Sequence, residues 1–204
     1  EQTSSLTQDI VTDGDRSAHF GYAGADGEIE MALVPGSYRV TVTRGPTYSI
    51  WPQDAAETGG HLVDIVAGEP LELTAEIARV VDTDRWLSAD FHVHAVNSPD
   101  SFVHNSPRVL SFAADGVDVL VSTDHDYLTD FRPLIEELGL GSWVTSVVGV
   151  ELTTFDYGHF NAFPLVRDPE SRNGGSFDWG GGDGPNQHPT AILEGLAAYP
   201  GEQV

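Results

Sequence analysis

Eight histidines stand in this chain, and two of them lie one residue apart in Ala89-Asp90-Phe91-His92-Val93-His94. Side chains alternate along a strand, so the imidazoles of an i, i+2 pair reach the same side of a sheet end. Two later segments repeat this logic. Val117-Asp118-Val119-Leu120-Val121-Ser122-Thr123 runs into Asp124-His125-Asp126, and Val147-Val148-Gly149-Val150 runs into Glu151. In each case an apolar, β-branched run closes on a residue that binds metals. Imidazole with carboxylate is a donor set suited to zinc, manganese or iron. The chain has no cysteine, which excludes a thiolate site and a disulfide framework alike. A carboxylate at the end of an apolar strand is expensive to bury without a partner, which directs Glu151 toward a ligand role. A lone histidine is ordinarily structural, so His19, His61 and His188 are read as surface or packing residues. His104, in the loop after His94, is the weaker candidate, for substrate contact.

The elements that must position these residues follow from pattern and punctuation. A strand over 86–94 leads into a loop, and Ser106-Pro107 opens a helix that Gly116 closes. A strand over 117–123 comes next, then a helix over 129–138 with Pro133 near its start and Gly139 as its stop. Residues 143–150 are apolar almost throughout, as a strand covered on both faces should be. A strand over 159–165, a polar, Gly-rich loop over 167–190 and a helix over 189–199 complete the pattern. This β-α-β-α-β order implies an α/β fold with a parallel sheet, whose sites lie at the carboxyl ends of the strands. All the candidate ligands fall there.

The grammar before Trp86 is different. Residues 28–34 and 37–44 alternate about Pro35-Gly36 and predict a β-hairpin, and 61–67 with 71–80 predict a second strand pair about Gly68-Glu69-Pro70. Residues 1–83 are therefore expected to form a small β-sandwich domain and 84–204 the α/β domain. A plain turn is expected at Thr12-Asp13-Gly14-Asp15.

Composition narrows the partners. The net charge is −23, with nine arginines and no lysine, which argues against nucleic acid and against anionic membranes. No run approaches the ~20 apolar residues needed to span a bilayer. Such acidity suits a secreted (extracellular or periplasmic) protein or one from a saline or marine habitat, and suits a generally acidic proteome equally well. Tyr127, Phe155 and Tyr157 stand as pocket-lining or packing residues.

Taken together, Asp90-Phe91-His92-Val93-His94, Ser98-Pro99-Asp100-Ser101, Ser122-Thr123-Asp124-His125-Asp126, Gly149-Val150-Glu151 and Gly158-His159-Phe160-Asn161 resemble the first three motif blocks of the polymerase and histidinol phosphatase (PHP) superfamily. The carbaryl-hydrolase-like metallohydrolases are the branch they look like. Members often carry a β domain in front, with a segment similar to residues 33–48. The resemblance covers about residues 27–204. It implies the N-terminal part of a distorted (β/α)7 barrel carrying two or three divalent metals. By resemblance, His92 and His94 hold the first metal, Glu151 bridges the first and second, His159 ligates the second, and Asp100 and His125 ligate the third. Asp90 looks like a carboxylate that orients a histidine through its far nitrogen, and Asp124 is carried with it as a catalytic-site candidate. Water made acidic by the metals would attack a phosphorus or carbonyl centre.

Family members have a later His and a final Asp and His that are not matched here. The expected partners are thus a small-molecule substrate and the C-terminal remainder of the barrel, or another copy of the chain. Two functions are expected to compete: a metal-dependent hydrolase of an ester, amide, carbamate or phosphoester, and a non-catalytic extracellular module stabilised by metal. Only Arg108 and Arg132 lie close in sequence as basic residues, which favours carbonyl substrates over phosphate.

Overall fold

The structure, a computed structural model, describes residues 19–180 and 187–201. The turn expected at 12–15 lies outside them. The chain divides into two compact units, one formed by Glu1–Asp84 with Ala114–Gly116, the other by Arg85–Ala113 with Val117–Val204. Among the described residues no helix is long and apolar enough to cross a membrane.

In the first unit, β1 (Gly36–Val40) pairs antiparallel with β2 (His61–Ile65), with Tyr38 opposite Val63. A four-residue helix, α1 (Ala55–Thr58), precedes β2. The half-buried positions fall on one face of the pair, Tyr38 and Val40 on one strand, Val63 and Ile65 on the other, with Tyr38 and Val63 directly opposed. This corrects the expected hairpin, since residues 28–34 form no strand. The tight turns that suit a hairpin need a positive φ at their first central position, and Pro35 is locked near −65°. The β1 edge is taken by residues 61–65 instead. Residues 71–80 contribute a single bridge, Tyr48 to Arg79. The described residues of this unit hold one two-stranded sheet rather than the two packed sheets of a sandwich. Their only buried apolar side chain is Ala55, with Ile29, Val34, Leu71 and Val80 exposed. Two sheets stay together only through a shared interior.

The second unit is mixed α/β. Strands β3 (Ala89–Val93), β4 (Val119–Ser122) and β5 (Thr145–Val148) form a parallel sheet in that order. The crossovers carry α2 (Asn105–Ala114) and α3 (Arg132–Glu137). Consecutive residues Leu120 and Val121 are both buried, which a strand shows only when both its faces are covered. Val109, Ala113, Phe131 and Ile135 pack with Leu120 on one side; Leu128, Val148, Leu165 and Ile192 make a second cluster. Ile192 comes from α4 (Pro189–Ala197). The α3 helix begins three residues later than the pattern suggested. Asp130 accepts the Arg132 amide at 3.0 Å, and such a local turn competes with helix until the next residue.

The expected strand over 143–150 is broken at Gly149. After β5, strand β6 (Val150–Thr153) turns away and pairs antiparallel with β7 (His159–Ala162). A Cβ at position 149 would stand 2.9 Å from the carbonyl oxygens of both Ser122 and Ala162. Only glycine lets the backbones of β4 and β7 approach so closely. The three sheets of the described residues do not close into a barrel.

Candidate metal centre

The centre forms where β3, β4 and β6 end or meet. β3 carries one extra residue relative to β4, since Asp90 is opposite Leu120 but Val93 is opposite Ser122. Such a bulge re-aims side chains. Asp90 sustains it: its Oδ1 accepts the main-chain N–H of His92 at 2.9 Å. Asp90 therefore shapes the backbone under His92, where an orienting contact to a far ring nitrogen was expected. Both imidazoles turn to one point. His92 Nε2 and His94 Nε2 are 3.0 Å apart, and they lie 3.1 and 2.8 Å from Glu151 Oε2.

Glu151 is the hub. Its side chain is 5% exposed, and it sits inside β6 rather than at the end of β5. A parallel bridge sets it beside His125. His125 Nδ1 reaches Oε2 at 3.3 Å, while the other oxygen, Oε1, faces His159 Nδ1 at 2.8 Å. One carboxylate thus divides its oxygens between His92, His94 and His125 on one side and His159 on the other. Burial works to raise its pKa, but hydrogen bonds from His92 and His159 and the charge of His125 outweigh it and hold the carboxyl below its ordinary value.

Asp100 closes the far side. Its oxygens lie 3.0 and 3.1 Å from His94 Nδ1, and Oδ2 is 3.3 Å from His125 Nε2. A hydrogen bond from the Ser98 hydroxyl, at 2.7 Å, is the largest cause holding its pKa well below the carboxylate range; partial burial opposes it and His94 adds to it. A neutral imidazole offers one lone pair. With its Nε2 lone pair given to an ion shared with Glu151 Oε2, 2.8 Å away, His94 would keep its Nδ1–H to donate to Asp100. Asp100 therefore occupies the orienting position that the sequence pattern suggested for Asp90. Its contact with His125 also keeps it within reach of the ligand role drawn from the resemblance. Ser98 stands out in the sequence only as part of the Ser98-Pro99-Asp100-Ser101 block, yet its hydroxyl also accepts the His125 amide at 3.2 Å.

Asp124 is placed otherwise. It is fully buried, its Oδ1 accepts the Ala95 amide at 2.6 Å, and its Oδ2 accepts the Thr129 hydroxyl. With both oxygens engaged in the interior, it ties the chain leaving β3 to the chain leaving β4. Asp126, with φ 52°, accepts the Thr153 amide at 3.1 Å and the Trp179 indole N–H at 2.6 Å. Thr153 in turn bonds His125 Nδ1. Thr129, Thr153 and Trp179 had no signal in the sequence, because hydroxyls and an indole gain their roles from partners distant in the chain.

Three overlapping groups of potential ligands result: His92, His94 and Glu151; His94, Asp100 and His125; His125, Glu151 and His159. Four imidazoles form a continuous row, with successive ring centroids 4.9, 4.6 and 5.1 Å apart. Donor atoms about 2.0–2.2 Å from a shared cation stand roughly 3 Å from one another. The 2.8–3.1 Å separations among His92, His94 and Glu151 match that spacing. The donor set is all nitrogen and oxygen, which fits zinc, manganese or iron. The centre can hold a metal ion.

No family model, curated protein or solved structure matches the chain.

Proposed function

We propose that this chain carries the metal centre of a PHP-type hydrolase, in which two or three divalent ions activate water against an ester, amide, carbamate or phosphoester bond. The observation that supports the reading is Glu151: a nearly buried carboxylate with four imidazole nitrogens within 3.3 Å of its two oxygens. Imidazoles gathered at this density around one acid are ill suited to a purely structural ion pair, which one arginine would satisfy. His92 and His94 would hold the first ion with Glu151, and His159 would take the second across the other carboxylate oxygen. His125 and Asp100 would contribute to a third. Bound metal would supply positive charge there that acidifies water and polarises a carbonyl or phosphoryl oxygen, making the attached carbon or phosphorus more electrophilic.

The protein's own residues do the rest. Asp100 fixes the His94 tautomer, Asp90 holds the bulge that aims His92, and Asp124 anchors both loops. The half-exposed His92 and His159 leave the centre open to a small molecule. In this reading the parallel sheet of the second unit is part of a PHP-type barrel.

The test is elemental analysis of the purified protein combined with assays on aryl phosphate, aryl ester and aryl carbamate substrates. Two or more equivalents of metal and metal-dependent turnover of one class are expected, both lost in His92→Ala/His94→Ala. Unchanged metal content in that variant refutes the site. Full metal content without turnover of any class favours a metal-stabilised module instead.

A further inference from the structure

Among the nine arginines of this acidic chain, one has a placement that calls for a ligand. Arg108 lies in the first turn of α2, and Phe112 follows one turn later on the same helix face. These two residues, with Asp90, His92, Val93 and His94, line an open cleft of about 380 Å³. The cleft thus has metal-binding imidazoles on the strand side and a guanidinium on the helix side.

Arg108 is poorly satisfied there. Its one side-chain hydrogen bond among the described residues runs from Nη2 to Ser101 Oγ at 3.4 Å, and its buried Nε has no partner. Acids are not scarce, with thirty-two in the chain. Arg132, by contrast, grips Asp130 through Nε and Nη2, both at 2.8 Å. Asp90 shares the cleft, but its Oδ1 is engaged by the His92 amide. Arg108 is half-buried, and a guanidinium with its Nε buried and unpaired and no carboxylate beside it is left under-satisfied, a deficit that an anion at its outer nitrogens would offset. Its fork of donors fits two oxygens of one planar or tetrahedral oxyanion.

We infer that Arg108 is the anion-binding residue of this cleft, seating an oxyanion group of the substrate, phosphoryl or carboxylate, beside His92 and His94. This rests on the hydrolase reading for its biological meaning, though not for the binding itself. It also removes the ground on which the sparse basic residues favoured carbonyl substrates over phosphate, because one arginine, correctly placed, suffices.

The experiment is calorimetric titration of inorganic phosphate and, separately, acetate into the full chain, metal-free and metal-loaded. Wild type, Arg108→Gln and Arg108→Lys are compared, with melting temperature and metal content measured alongside. Arg108→Gln should weaken binding of at least one anion by about 10–100-fold in both forms, and Arg108→Lys by less. The anion more affected separates phosphoryl from carboxylate recognition. Should Arg108→Gln fail to fold, Arg108→Lys decides in its place: weakened binding upholds the assignment and unchanged binding overturns it. Equal anion affinity in wild type and variants, or no anion binding to wild type, overturns the assignment. Wild type that binds phosphate through Arg108 but takes up no metal upholds the assignment and refutes the hydrolase reading.

Discussion

Replacing Gly149 by alanine should damage stability and metal binding together. The added Cβ would stand 2.9 Å from the Ser122 and Ala162 carbonyl oxygens and 3.1 Å from Phe163 Cβ. Ordinary carbon–oxygen contact is several tenths of an ångström longer, and two of the three neighbours are main chain that no rotamer change can move. Overpacking of this kind costs typically about 1–3 kcal/mol. A glycine-to-alanine change also lowers unfolded-state entropy, returning about 0.4–1 kcal/mol. A net loss of roughly 1–2 kcal/mol remains, which for a chain of this length is a fall of about 2–8 °C in melting temperature. The shift also has a direction: it pushes β6 away from β4, and Glu151 is the second residue of β6. Ligand constellations tolerate about 0.5 Å of misplacement, so metal affinity should drop roughly 10–100-fold, as when an orienting partner is lost. Thermal denaturation and competitive titration with a chromogenic chelator measure the two effects. An alanine variant with wild-type melting and affinity would show that β4 and β7 do not press on Gly149, and the explanation of the strand break would fail.

Other parts of the centre lead to three more expected outcomes. Chelator should lower the melting temperature of the wild type and leave His92→Ala/His94→Ala unmoved, with zinc or manganese restoring the former; an equal response in both proteins refutes the assigned ligands. Asp124→Asn should cost about 1.5–3 kcal/mol in urea unfolding, because one of the two positions that now accept hydrogen bonds becomes a donor, while metal stoichiometry stays as in wild type; intact stability with abolished turnover would make Asp124 a reacting group after all. For Asp130, burial raises the pKa, but the Arg132 guanidinium and amide outweigh it and the net shift is downward. Its contribution to stability is therefore fully present above the unfolded value near 3.9 and lost as pH falls through the lower folded value. The stability gap between wild type and Asp130→Asn should be constant near pH 6 and shrink below pH 4, and a gap independent of pH excludes the ion pair as its source.

The parallel part of the second unit was legible because its signals are local. An apolar run such as residues 119–122 and stop signals such as Gly139 need no knowledge of distant contacts. The clustering of His92, His94, His125 and Glu151 was legible for the same reason, each standing at or near the end of such a run, whereas His159 opens its strand and was singled out only by the family resemblance. What escaped depends on partners far along the chain. Gly149 reads as one more small residue in an apolar strand until the carbonyls of Ser122 and Ala162 are seen against it. Asp90 and Asp100 are both carboxylates close to His94 in sequence, and which of them meets a ring and which a main-chain amide is decided by the bulge in β3. The first unit misled because alternation predicts a strand without naming its neighbour, and Pro35 prevented the neighbour that proximity suggested. Arg108 was noticed as basic but not as belonging to the cleft, since the direction of α2 sets where its side chain goes.

His92 and Glu151 are 59 residues apart in the chain. An ion gripped by both would join them as a cross-link does, closing a loop of that length in any state that keeps both bonds. The chain-entropy treatment of disulfides values such a closure at about 4 kcal/mol, comparable with much of the stability of an ordinary domain. This chain has no cysteine with which to make a covalent staple. In a setting where thiols would oxidise or exchange, a histidine–carboxylate clasp performs the same restraint with no redox chemistry, and it can be opened by acid or by a competing chelator rather than by a reductant.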